Sequence, residues 1–205
     1  MKKEMKEEMD IVFLLDRSGS MSGMEEDTIG GYNSYLNKKK KKNVKVTTIL
    51  FDDKYEILHQ RENIKNIKDL TRKEYYVRGC TALLDAIGKT INMMDREEAG
   101  KVIFIITTDG LENASREFNK GQIKKLIESH KNWEFMYIGA DIDSYSEGES
   151  IGIKKTNIAN YRKNKVGVEK LFSSLGKASS SFYEDKCVCA DWKEDLENYI
   201  DDNMN

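Results

Sequence analysis

Proline is absent from this chain of 205 residues, cysteine occurs three times and histidine twice. Without proline or a Gly/Ser-rich stretch there is no recognisable linker. A single domain is therefore expected over residues 1–205, with its core at about 10–183 and a helical tail at 187–205. The cysteines are Cys80, Cys187 and Cys189, an odd count, and the last two are separated by one residue. That excludes a disulfide framework and a Cys-x-x-Cys redox pair. His59 and His130 stand far apart with no Cys or His partner at zinc-site spacing, which removes the usual zinc ligands. Long apolar runs are missing too. Met1–Asp10 is charged and the first apolar run, Ile11–Leu15, is too short to export or anchor the chain. The expectation is a reducing cytoplasm and no membrane partner. Charge of one sign is also lacking: the net value is -2, although 34% of residues are charged. Nucleic acid is not an expected partner, because its binders carry a basic excess or a basic face. The one basic run, Lys38–Lys42, follows a helical stretch. Cations there complement the negative end of the helix dipole, so the run is expected to close a helix.

What the sequence does contain is an alternation of short apolar runs with longer amphipathic stretches, the pattern of a βαβ chain. Ile11–Leu15, Val102–Ile106 and Phe135–Ile138 are unbroken apolar runs. Strands of that kind are buried on both faces, as in a parallel sheet covered by helices. Val44–Phe51 is a further strand, and only Asp52, Asp53 and Lys54 separate it from Tyr55–His59. So short a link cannot make a parallel crossover, so these two strands are expected to form an antiparallel hairpin. A weaker strand is expected near Thr156–Ala159. Apolar stripes at helical spacing predict helices over Met24–Lys40 and Thr81–Asp95, with others at Gln122–Ser129, Val166–Tyr183 and Trp192–Ile200. The fold class that follows is α/β: a doubly wound, Rossmann-like, mostly parallel sheet with one antiparallel edge strand and helices on both faces.

The chemistry-bearing segment is Asp16-Arg17-Ser18-Gly19-Ser20, directly after the first strand. Three oxygen-bearing side chains alternate there, and Gly19 is expected to let the loop turn them toward one point. Taken alone the string is weak, because Ser and Asp are common in turns. Two other segments strengthen it. Gly79-Cys80-Thr81 opens the long apolar helix, and Thr107-Thr108-Asp109-Gly110 ends the strand Val102–Ile106. In an open parallel sheet, ligands bind beyond the carboxyl ends of strands where the strand order reverses. If the two strands are neighbours, Asp16 and Asp109 flank that crevice.

Asp16-x-Ser18-x-Ser20, followed by Thr81 and then Asp109, is similar to the metal-ion-dependent adhesion site of von Willebrand factor A domains and integrin inserted domains. The resemblance covers Asp10 to about Tyr183. It is strongest over Asp10–Gly23, Tyr75–Ile91 and Lys101–Asn113, which look like small stand-alone bacterial members. It implies one bound divalent cation, with Ser18 and Ser20 as direct ligands. Asp16 and Asp109 would act largely through water, and Thr81 would alternate between direct and water-mediated contact. An all-oxygen set suits Mg²⁺ or Mn²⁺, and Ca²⁺ is compatible with it. Neutral hydroxyls leave the cation electrophilic, so the expected partner is a protein that supplies an Asp or Glu carboxylate. Arg17, Gly19, Met21, Cys80 and Glu112 are the expected rim of the site, with Arg17 and Met21 the candidates for touching the partner. The Cys80 thiol is expected to pack against the sheet. Asp141 and Asp143 are expected to cap a turn or helix.

Two other functions compete with this reading. A metal-dependent phosphohydrolase would want a second aspartate two residues after the first, where Ser18 stands. There is also no nucleotide-binding Gly-x-x-x-x-Gly-Lys-Ser/Thr loop and no nucleophile–base pair. The other alternative is a metal-binding subunit of an ATPase-linked or metal-stress assembly, which the sequence does not separate from a transient binding module. A non-enzymatic, cation-dependent protein-binding module is the expectation.

Overall fold

The apolar run Ile11–Leu15 lies within β1 (Met9–Asp16), in which every residue is buried. A strand with no face for water must be central, and β1 is. In the computed structural model, which describes residues 8–202, β1 is flanked by two parallel neighbours, β2 (Val44–Phe51) and β4 (Lys101–Thr108). Beyond β2 lies β3 (Tyr55–Asn63), antiparallel as the three-residue link requires. Beyond β4 lie β5 (Trp133–Ala140) and β6 (Ile158–Tyr161), both parallel to their neighbours. The sheet order is β3-β2-β1-β4-β5-β6.

Alternate residues of β1 feed two separate cores. Ile11, Phe13 and Leu15 pack with Tyr32, Tyr35 and Leu36 of α1 (Glu25–Lys39) and Leu171, Phe172 and Leu175 of α5 (Lys165–Asp185). The Phe13 ring meets Tyr32 and Tyr35 edge-on, with centroids 5.3 and 5.0 Å away. Val12 and Leu14 point the other way, toward Leu84, Ile87 and Ile91 of α2 (Leu83–Arg96) and Ile123 and Ile127 of α3 (Lys120–Ser129). Helices thus cover both faces of a mostly parallel sheet with one antiparallel edge, the expected class.

The departures lie where apolar patterning is weak. β3 runs four residues past the expected His59, to Asn63. Its outer half, Gln60–Asn63, is polar and edge-exposed, with a register irregularity against β2 and Arg61 at φ 45°. A short helix, α4 (Ser144–Ser150), was not expected, although its cap was: the Asp143 carboxylate accepts from the Ser146 amide at 3.0 Å. Lys38 and Lys39 close α1 as anticipated. Lys39 goes further, burying its stem and donating to the Gly176 carbonyl at 3.0 Å and the Ser180 hydroxyl at 2.9 Å of α5. Burial, reinforced by the charge of Lys42, lowers its pKa to about 8.

The tail packs into the core on the α1 and α5 side of the sheet. Trp192, with no exposed surface, joins the core shared with α5, and its indole N–H donates to the Thr156 carbonyl at 2.9 Å. Lys193 donates to the Ile158 carbonyl at 2.8 Å, and α6 (Glu194–Asp202) then packs beside α5 and β6. Among the described residues no helix is long and apolar enough to cross a membrane.

Candidate metal centre

From β1 the chain crosses to β2 on one side, and from β4 it crosses to β5 on the other. β1 and β4 therefore border the switch point, in register with Leu15 opposite Thr107. Asp16 ends β1, Thr108 ends β4 and Asp109 follows it, which brings both aspartates to the same crevice.

Asp16 is held at both oxygens. Its Oδ1 accepts the Ser18 amide at 2.7 Å and its Oδ2 accepts the Thr108 hydroxyl at 2.5 Å. Burial pushes its carboxyl up to about 6, against those two hydrogen bonds and with a further push from the nearby charge of Asp109. Ser20 donates to Asp109 Oδ1 at 2.5 Å. With its one proton used there, Ser20 accepts from the Ser18 hydroxyl, 3.0 Å away. Ser18, Thr81 and Asp109 are buried, whereas Ser20 is exposed, so the crevice opens to water on the Ser20 side.

Gly110 shows that the three hydroxyls surround one small space. A methyl group added there would lie 2.7 Å from Thr81 Oγ1, 3.3 Å from Ser20 Oγ and 3.6 Å from Ser18 Oγ. The five motif residues thus present three neutral hydroxyl oxygens about one point, with two carboxylates, Asp16 and Asp109, bonded to the same loops. No group of three His, Cys, Asp or Glu side chains suited to a metal exists among the described residues. What is assembled is instead an all-oxygen, hydroxyl-rich set that fits a hard divalent cation. The extra positive charge would also relieve the repulsion between the buried aspartates.

The surrounding loops are tied by backbone bonds. Arg17 N donates to the Phe51 carbonyl at 2.8 Å, Gly19 N to the Gly79 carbonyl at 3.1 Å and Arg78 N to the Arg17 carbonyl at 2.8 Å. The glycine that the backbone needs here is Gly79, at φ 66°, rather than Gly19, which sits in an ordinary 3₁₀ turn (Gly19–Met21). Thr81 precedes α2 rather than opening it. It is fixed by Asn113, whose side chain accepts the Thr81 amide at 2.9 Å while its own amide donates to the Thr81 carbonyl at 3.0 Å.

Three rim expectations are corrected. Arg17 does not face a partner. It has no exposed surface: its Nε pairs with Asp52 at 2.9 Å and one Nη with Glu56 at 2.7 Å, anchoring the loop to the β2–β3 hairpin, while the other Nη has no hydrogen-bond partner. Met21 turns inward to the core shared with α1 and α5, with 2% exposure. Glu112 caps α2 instead of lining the rim. It accepts from the amides of Leu84, Ala114 and Ser115 and from the Ser115 hydroxyl, all within 2.9 Å. Cys80 is the reverse case: a free, solvent-exposed thiol beside Thr81, not one packed against the sheet. Its backbone carries it out of the core together with Gly79.

Four participants gave no sequence signal for a role: Thr108, Asn113, Tyr75 and Lys163. The Tyr75 hydroxyl donates to the Asp16 carbonyl at 2.5 Å, and the Lys163 ammonium lies 2.7 Å from Asp109 Oδ2. Both reach the centre from remote segments, so no local spacing announces them.

No protein-family model and no curated protein matches this sequence. Solved structures do. Proximal thread matrix protein 1 from the mussel byssus, with a zinc-occupied MIDAS motif, is similar with a TM-score of 0.60 and 16% identity over 83% of this chain and 45% of that one. A von Willebrand factor type A protein from Catenulispora acidiphila matches with a TM-score of 0.59 and 12% identity, over 85% of this chain and 43% of that one. The von Willebrand factor domain of the type V pili tip protein Mfa5 from Porphyromonas gingivalis matches with a TM-score of 0.62 and 10% identity, over 84% of this chain and 95% of that one. The chain thus spans less than half of the first two proteins and nearly the whole of the third domain. Identities this low speak for architecture alone: the chain has the von Willebrand factor type A fold.

Proposed function

We propose that this domain holds one divalent cation, Mg²⁺ or Mn²⁺, between Ser18, Ser20 and Thr81, with Asp16 and Asp109 orienting its waters. Through it the domain binds an acidic side chain of a protein partner. The observation that carries the reading is the convergence of three hydroxyl oxygens around the space beside Gly110. Neutral oxygens neutralise little of the cation's charge, so it keeps its appetite for an anionic ligand on the side where Ser20 meets water. A carboxylate of Asp or Glu meets that need. The mussel byssus protein, with the same fold, is described with its MIDAS motif occupied by zinc, and Mfa5 is a pili tip protein. The first precedent supports a metal-bearing centre on this fold.

The hydroxyl with a base beside it, Ser20 on Asp109 Oδ1 at 2.5 Å, serves in this reading as a metal ligand rather than a nucleophile. The Ser18 and Ser20 hydroxyls pass their protons toward Asp109, and neither histidine takes part: His59 is on β3, and His130 caps α3 and pairs with Asp95 at 2.7 Å. Binding without turnover is the reading.

The test uses Mn²⁺, which enhances water-proton relaxation when protein-bound. Enhancement that falls as N-acetylglutamate methylamide is added, and that is absent in Ser18→Ala/Ser20→Ala, supports the reading. Enhancement unaffected by the carboxylate would leave a metal site without the proposed recognition and overturn it.

A further inference from the structure

Lys163 brings a cation of the chain's own to the crevice. Lys163 lies on the loop between β6 and α5, and its Nζ sits 2.7 Å from Asp109 Oδ2 while also donating to the Ser20 carbonyl. Asp109 is a nearly sealed partner, its side chain 1% exposed, whereas that of Lys163 keeps 25%. The contact is therefore of a different kind from the chain's surface ion pairs, which water screens.

The loop that carries Lys163 is fixed on both sides. Asn164 caps α5 by accepting the Gly167 amide at 2.8 Å, and its own amide donates to the Arg162 carbonyl at 2.8 Å. Gly167 permits that closure, because a Cβ there would lie 2.0 Å from the Arg162 carbonyl oxygen. Arg162 in turn donates to the Ile200 carbonyl at 3.3 Å. The lysine thus reaches the aspartate from an anchored base.

Building on the metal reading above, we propose that Lys163 is a tethered counter-charge that competes with the divalent cation for Asp109 and so weakens the centre's affinity for metal. Asp109 has two oxygens: one accepts from Ser20, and the other, Oδ2, is buried without a hydrogen-bond partner and faces the Lys163 ammonium as an ion pair 2.7 Å away. A cation that engages Asp109, directly or through a water, must either displace the ammonium or bear its repulsion at close range. Either route subtracts from binding. The same ammonium, in return, neutralises a buried carboxylate whose other oxygen has only a hydroxyl partner. It therefore steadies the fold when no metal is present. The ligand class concerned is the bare divalent ion, and the device sets the concentration at which the centre fills.

The test is a direct titration of metal-stripped protein with Mn²⁺, following free Mn²⁺ by electron paramagnetic resonance. Wild type is compared with Lys163→Met, the charge-preserving Lys163→Arg and, as a nearby control at the first residue of α5, the exposed Lys165→Met. The expected result is a dissociation constant lowered about tenfold or more in Lys163→Met and little changed in Lys163→Arg and Lys165→Met. The metal-stripped Lys163→Met protein should also melt below wild type. A dissociation constant unchanged or raised in Lys163→Met, with wild type binding normally, overturns the proposal while leaving the metal centre intact. Binding by Lys163→Met where wild type shows none supports both. Binding by neither removes the metal reading and this inference with it.

Discussion

The Thr108 hydroxyl donates to Oδ2 of Asp16 at 2.5 Å, a bond that joins the ends of two adjacent parallel strands and sets the angle of the buried carboxylate. Asp16 has its other oxygen on the Ser18 amide, so the same carboxylate also shapes the loop that presents the serines. Strand ends, loop and hydroxyl cluster are one bonded unit.

Replacing Thr108 by Val keeps the shape and removes both the donor to Asp16 and the acceptor of the Gly110 amide. The Asp16 carboxylate then loses an oriented partner, and Mn²⁺ affinity is expected to fall by about tenfold, the size of one hydrogen bond to a charged group. Calorimetric titration checks this. An unchanged affinity would show that Asp16 needs no such orientation.

Asp16 also makes a pH prediction. Its folded carboxyl holds the proton up to about pH 6, whereas the unfolded chain releases it near 3.8. In that window the folded state binds the extra proton, so raising the pH removes stability, and the loss is complete above the folded value. Metal-stripped Asp16→Asn should therefore gain on wild type between about pH 4 and about pH 6.5, by up to about 3 kcal/mol in urea unfolding. Metal reverses the sign, because it favours the ionised carboxylate, so wild-type metal affinity should rise over the same interval. A stability gap that stays flat with pH would refute the assignment.

Gly110→Ala fills the space between Thr81, Ser20 and Ser18. Gly110 has no positive φ, so alanine brings no backbone strain, but its methyl would lie 2.7 Å from the buried Thr81 hydroxyl, and relieving that contact should cost about 1–3 kcal/mol without unfolding the domain. Metal binding should not survive, and Mn²⁺ titration up to millimolar concentration should give no saturation. Wild-type affinity in this variant would mean that the ion, if bound, sits elsewhere.

Trp192→Ala tests the tail. Removing a fully buried indole that also donates to Thr156 should destabilise the domain by about 3–5 kcal/mol. A loss under about 1 kcal/mol would make the tail an appendage rather than the last layer of the core.

How much of this was visible in the sequence follows from what each residue does. β1, β4 and β5 were legible because doubly covered strands must be apolar at successive positions, as Ile11–Leu15 and Val102–Ile106 are. The hairpin was legible because Asp52–Lys54 leaves no room for a crossover. The five motif residues were legible through the spacing of one loop and the ends of two elements. The outer half of β3 was not, because an exposed edge tolerates any polar residue. Arg17 was misread for a related reason. A charged residue in a serine-rich loop looks solvated, and nothing local reveals that Asp52 and Glu56 arrive from the hairpin to bury it. Asn113, Tyr75 and Lys163 are the same lesson: each acts on the centre across a gap that only the fold closes.

The most direct measurement is a thermal melt of metal-stripped protein with and without Mg²⁺ or Mn²⁺, for wild type and Ser18→Ala/Ser20→Ala side by side. At about a hundredfold excess over the dissociation constant, an ion bound only by the folded state adds about 2.7 kcal/mol, which for a chain of this size raises Tm by about 5–10 °C. That rise in wild type, and its absence in the double variant, is the expected result. Equal melting temperatures with and without millimolar metal in wild type would contradict a cation site at these hydroxyls.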